Sequence, residues 1–174
     1  MNNFTKLSLI LSSTLLSACV NQNTVAQKKL APVTNPCAKI SLLIKAYDDG
    51  FEQIKTTKVQ TRASNTWKAK YNIIGENCHI WTLGKTKTTY SCNITADNKM
   101  TAETYYQNAQ QTIQQCLGDE WQMTEQPRKA DNGRKSTFTT SDSQLSLSAH
   151  IVPLDSLFSE KWTIYYYIGS PKLN

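Results

Sequence analysis

The chain has 174 residues, a formal charge of +6 and 39% hydrophobic residues. That length suits one domain with one core, and two domains would be cramped once an N-terminal leader is set aside. The positive excess is ordinary for a soluble protein, and it also directs attention to anionic partners such as lipid head groups or cell-wall polymers.

The first elements are an address. Lys6 is the only charge before Cys19, and a run rich in Leu and Ile extends from Leu7 to Leu16. A charged start, an apolar stretch of about ten residues and small residues before a cut are the layout of an export signal. A membrane-spanning helix needs about 20 apolar residues, about twice this run. The stretch Leu16-Ser17-Ala18-Cys19 resembles the lipobox of bacterial lipoproteins. The resemblance implies a signal peptide over 1–18, cleavage before Cys19, a diacylglycerol thioether on its sulfur and an acylated (palmitate-type) amino terminus. Several chains of this kind hold a protein on a membrane stably, where a single chain holds only marginally. Val20 and Asn21 follow the cysteine. By the same resemblance, the lack of an Asp there points to the periplasmic face of the outer membrane rather than to the inner membrane.

Residues 19–35 are polar, aperiodic and interrupted by Pro32, a lipidated tether leading to a single disulfide-bonded domain over 36–174. With Cys19 assigned to lipid, Cys37, Cys78, Cys92 and Cys116 remain. An even set in an exported chain predicts two disulfides, with three connectivities open. No CxxC is present, and His79 and His150 lack ligand spacing to the cysteines, so no metal and no cofactor are expected.

Asn35-Pro36 starts a helix. Cys37, Ile40, Leu43, Ile44, Tyr47, Phe51 and Ile54 then form one apolar stripe, which predicts a helix over about 36–54. After a polar loop the period becomes two. Trp67, Ala69, Tyr71 and Ile73 alternate with polar residues as a half-buried strand. Cys78–Leu83 and Lys87–Ile94 read as a hairpin about Gly84-Lys85-Thr86. Centred on Lys85, it sets Cys78 opposite Cys92, Ile80 opposite Tyr90 and Thr82 opposite Thr88, within disulfide reach for the cysteines. Thr101 is set to cap a second helix striped by Ala102, Tyr105, Tyr106, Ala109, Ile113, Cys116 and Leu117, with Gly118 as its stop. Antiparallel helices would bring Cys37 and Cys116 together, so the expected pairs are Cys37–Cys116 and Cys78–Cys92.

The last third reads as four strands: Glu120–Glu125, Arg134–Thr140 after the turn signal Asp131-Asn132-Gly133, Leu145–Ile151 ended by Pro153, and Trp162–Ile168. The expected fold is α+β, an antiparallel sheet with two helices packed on one face, in the order α-β-β-β-α-β-β-β-β. Two related halves fit this order, although their sequences share too little to assert a repeat.

A helix opening with Cys37 and reaching Gly50-Phe51 precedes Trp67, Gly75, Cys78, Ile80, Tyr90 and Cys92, and a second helix ends in Cys116-Leu117. Over roughly 37–121 this order resembles uncharacterised small exported proteobacterial domains. The resemblance implies a compact disulfide-bonded domain and no particular activity.

No G-x-S-x-G, H-E-x-x-H or phosphate-cradling glycine loop occurs. His79 and His150 fall on the less apolar phase of their strands, and Asp48-Asp49 are helix neighbours that point apart. A small hydrolase is therefore disfavoured. Two features suggest binding. Arg128, Lys129, Arg134 and Lys135 make a basic loop, and Trp81, Tyr165 and Tyr167 lie opposite in phase to the apolar strand residues. The expected function is a non-enzymatic envelope accessory protein. It would hold the membrane through its lipid and meet an envelope protein or an anionic cell-wall or lipid component. An inhibitor or immunity-type protein acting on an exported enzyme is the alternative. The export signal argues against nucleic acid.

Overall fold

The computed structural model describes residues 33–59, 64–75, 77–83, 87–154 and 160–169. The expected leader, Cys19 and the tether up to residue 32 lie outside the described residues, as does the turn Gly84-Lys85-Thr86. The described elements are α1 (Pro36–Tyr47), β1 (Lys55–Val59), β2 (Asn65–Ala69), β3 (Asn77–Leu83), β4 (Lys87–Ala96), α2 (Lys99–Cys116), β5 (Gln122–Pro127), β6 (Arg134–Thr139), β7 (Ser146–Pro153) and β8 (Trp162–Gly169). A single 3-10 turn, Glu52–Ile54, sits between α1 and β1. All eight strands form one antiparallel sheet in the order β1-β2-β3-β4-β8-β7-β6-β5.

The element order is α-β-β-β-β-α-β-β-β-β, which corrects the expected order by one strand. The addition is β1, with sequence Lys-Thr-Thr-Lys-Val. Its contact with the sheet's aromatic surface comes from lysine ammonium groups: Lys55 Nζ lies 4.3 Å and Lys58 Nζ 5.8 Å from the centre of the Trp67 ring. A cation over an aromatic face is attracted by the ring's quadrupole, and lysines on an edge strand blunt it against further pairing. Hydrophobic alternation could not reveal such a strand.

α1 is also shorter than its apolar stripe. Gly50, at φ 67°, and Phe51, at φ 63°, turn left-handed. The Phe51 N–H donates to the Ala46 carbonyl at 2.6 Å and the Gly50 N–H to the Tyr47 carbonyl at 3.0 Å. This is a Schellman closure, in which glycine takes the left-handed position without a Cβ penalty. Phe51 is nevertheless fully buried, so the stripe continues in space after the helix has ended. At α2 the cap is Asn98, whose side chain accepts from the Thr101 N–H at 2.9 Å, three residues before the expected start.

The β3–β4 register pairs Cys78 with Cys92, Ile80 with Tyr90 and Thr82 with Thr88. The disulfides are Cys78–Cys92 and Cys37–Cys116, the latter spanning 79 residues and joining the start of α1 to the end of α2.

Period-two alternation gives the sheet two unlike faces. One carries Ile80, Tyr90, Cys92, Ile164, Tyr166, Ile168, Leu147, Ala149 and Phe138, all buried. Both helices touch β4 and β8, and α2 also touches β7. Tyr106 of α2 meets Ser136 of β6 by a 2.6 Å hydroxyl hydrogen bond, and the Phe51 ring lies 6.4 Å from Tyr90. Tyr90 Oη donates to the Tyr71 carbonyl at 2.7 Å. No helix among the described residues is long and apolar enough to cross a membrane.

Candidate functional site

The other face is polar, and its side chains run in rows across the strands. One row is His79–Ser91–Tyr167–Ser148–Thr137, and the next is Asn77–Asn93–Tyr165–His150–Lys135. Adjacent strands lie about 4.8 Å apart, so Lys135, His150 and Tyr165 are immediate neighbours. Tyr165 and Tyr167 are two residues apart on β8 and therefore project from the same side. Their rings stack at 5.8 Å with an 11° interplanar angle. His150 meets Tyr167 edge-on at 5.0 Å.

The connection between β5 and β6 folds against this cluster. The Arg128 N–H donates to the Gly133 carbonyl at 2.9 Å, and the Gly133 N–H donates to Asp131 Oδ1 at 2.8 Å. A Cβ on Gly133 would lie 2.2 Å from the Ile151 carbonyl oxygen, so only glycine permits this close approach. Asp131 holds Arg128 through both carboxylate oxygens, at 3.1 and 3.0 Å from Nε. The far end of the guanidinium meets His150 Nδ1.

This contact fixes the imidazole's polarity. A guanidinium only donates, so Nδ1 must accept. The neutral ring then carries its proton on Nε2, which donates to Ser148 Oγ at 3.0 Å. A serine nucleophile needs the reverse, an imidazole nitrogen free to take its proton. Burial pushes His150 down to about 3, and the charges of Arg128 and Lys135 push the same way against Asp131. Burial, together with the neighbouring Tyr165, raises Tyr167 to about 12, with Arg128 opposing. The cluster thus sets a neutral His150 imidazole and the Tyr167 phenol beside the basic side chains of Arg128, Lys129 and Lys135.

The expected binding residues divide. Arg128, Lys135, Tyr165 and Tyr167 come together around His150, with Lys129 exposed in the same loop. Arg134 does not join them. One position before Lys135 on β6, it points to the opposite face, where it pairs with Glu103 and Glu125 and lies 5.4 Å from the Tyr106 ring centre. Trp81 is on the polar face and 42% exposed. It stands two strands and one row from Tyr167, about 12 Å by strand geometry, so it flanks the tyrosine pair. His79 lies three strands and one row from His150, about 16 Å away on the same basis. Sequence reading weighed His150 as a metal ligand and as a catalytic base, favoured a surface or partly packed histidine, and did not place it at the centre of the cluster. Its position in phase with Ser148, and opposite the β8 tyrosines, was the available signal.

Among the described residues, no three His, Cys, Asp or Glu side chains gather as a metal set. The chain matches no protein-family model, no curated protein and no solved structure.

Proposed function

We propose that this chain is a lipid-anchored, non-enzymatic binding protein on the periplasmic face of a bacterial outer membrane. In this reading Cys19 carries the lipid and residues 19–35 are the tether. The two helices cover the apolar sheet face, and the polar face meets an envelope component. The observation that carries the reading is the Arg128–His150–Tyr167 cluster. It joins cations, stacked aromatics and a partly exposed aromatic rim on one sheet face, and its histidine is oriented to donate to Ser148 instead of activating it. Aromatics with one polar end and one apolar body suit such interfaces.

Two measurements test the reading. Mass analysis of the mature N-terminus should find an acylated Cys19, and Cys19→Ser should release the chain from membranes at high salt. At low salt the unlipidated Cys19→Ser chain should still sediment with isolated envelopes through its polar face. Replacing Trp81, Tyr165 and Tyr167 with Ala should remove that residual association. Undiminished sedimentation of the triple variant would sink the polar face as the binding surface.

A further inference from the structure

We propose that the ligand of the polar face is an acidic polysaccharide, a carboxylate-bearing glycan strand lying across β6, β7, β8, β4 and β3. This rests on the binding reading above and adds the chemistry of what is bound.

Charge is the first argument. The polar-face positions of the eight strands include Lys68, Lys87 and Lys135 and no Asp or Glu. Beside them Asp131 is already engaged by Arg128 and the Gly133 N–H. Lys135 has no acidic partner among the described residues, and burial, Arg128 and Lys129 all disfavour its charge. A carboxylate is the counterion this corner lacks.

The second argument is an unmet hydroxyl. Thr89 Oγ1 is buried and has no hydrogen-bond partner among the described residues. It stands over Gly169, where an added Cβ would come within 2.7 Å of it. Gly169 is also the next polar-face residue after Tyr167, so β8 supplies no side chain between Tyr167 and the Thr89 hydroxyl. A buried hydroxyl without a partner carries a desolvation cost that a ligand hydroxyl would offset. Around it lie Ser91, Ser146 and Ser148, all buried small polar groups.

Sugars match this surface. Their C–H faces rest against aromatic rings, their hydroxyls exchange hydrogen bonds with Ser and Thr, and their carboxylates meet Lys and Arg. From Lys135 on β6 to Trp81 on β3 is four strand spacings and two rows, about 23 Å, which admits a short oligosaccharide and exceeds a single sugar. Nucleobases would need open ring faces, whereas Tyr165 and Tyr167 each spend a face on the other. Among the described strand residues, a membrane surface would meet only Trp81 as an exposed large apolar side chain on this face.

The test is affinity electrophoresis of the full-length protein in gels containing polygalacturonate or dextran. A shift assay with single-stranded DNA and sedimentation with phosphatidylglycerol vesicles accompany it. Vesicle sedimentation uses the Cys19→Ser chain so that lipid does not mask the result. Polygalacturonate should retard the protein, more weakly as salt rises, and dextran should not. Lys135→Gln or Tyr167→Ala should weaken retardation by about tenfold or more. Thr89→Val should weaken it less, and Lys45→Gln on α1 should leave it unchanged. Intact disulfides on peptide mapping would show that each variant is folded. Equal retardation by dextran, or binding of DNA or vesicles without polygalacturonate, would overturn the acidic glycan and leave the binding face standing. Polygalacturonate retardation that survives both Lys135→Gln and Tyr167→Ala would overturn the face itself.

Discussion

At the scale of single residues, His150 connects burial, charge and stability. Burial first, then the charges of Arg128 and Lys135, push its pKa from the ordinary 6.5 down to about 3. Below about pH 6.5 the unfolded chain therefore binds a proton that the folded chain refuses. Stability tied to this group is complete above that value and is lost as pH falls toward 3, by roughly 5 kcal/mol in all. Urea melts between pH 7 and 4 should show this loss, and His150→Gln should flatten the slope. A wild-type profile no steeper than the variant's would contradict the seating of His150 between Arg128 and Lys135. Gly169 gives a second prediction. Gly169→Ala drives a Cβ against Thr89 and should cost about 1–3 kcal/mol. The cost should be smaller in a Thr89→Ala background, read by a double-mutant cycle. Much at this scale was legible in advance. Strand alternation alone separates Arg134 from Lys135, and grouping the four basic residues as one loop overlooked that period. The Arg128–Asp131 bracket was not legible, because only the folded connection shows where the guanidinium reaches.

At the scale of elements, the disulfides were readable because each follows from a local rule. Cys78 and Cys92 face each other once the hairpin is centred on Lys85, and Cys37 and Cys116 mark opposite ends of two apolar helical stripes. Chain-entropy arithmetic ranks them. Closing 79 residues should contribute about 4.5 kcal/mol and closing 14 about 3 kcal/mol. Replacing Cys37 and Cys116 together with Ala should therefore lower the urea midpoint more than replacing Cys78 and Cys92 together. The reverse order would show that burial around Cys78 and Cys92, both within the core, outweighs loop closure. Two elements escaped the sequence for physical reasons. β1 sets lysine ammonium groups over the Trp67 ring where a pattern search looks for apolar residues. α1 stops at Gly50 although its stripe runs on, because Phe51 rejoins the core beyond a left-handed turn.

For the whole molecule, adding β1 makes the chain two successive α-β-β-β-β units that meet where β4 pairs with β8. The sheet is therefore built outward from its centre. β4 and β8 are the two central strands and each holds three buried apolar residues (Tyr90, Cys92 and Ala96; Ile164, Tyr166 and Ile168), whereas every residue of the edge strand β5 is exposed. Hydrogen exchange should be slowest at β4 and β8 and fastest at β1 and β5; a protected β5 would mean that this edge is covered. The α+β class and the antiparallel sheet were visible from periodicity, while the equality of the halves was hidden by the missing strand. The binding account depends on the sheet's two faces having separate fates. Hydroxyl-radical footprinting of the protein in intact envelopes, compared with the purified chain, tests this most directly. The account predicts protection of Trp81, Tyr165 and Tyr167 in envelopes, with Met100 on α2, 79% exposed, oxidised equally in both. Equal oxidation of the three polar-face aromatics in both preparations would contradict it.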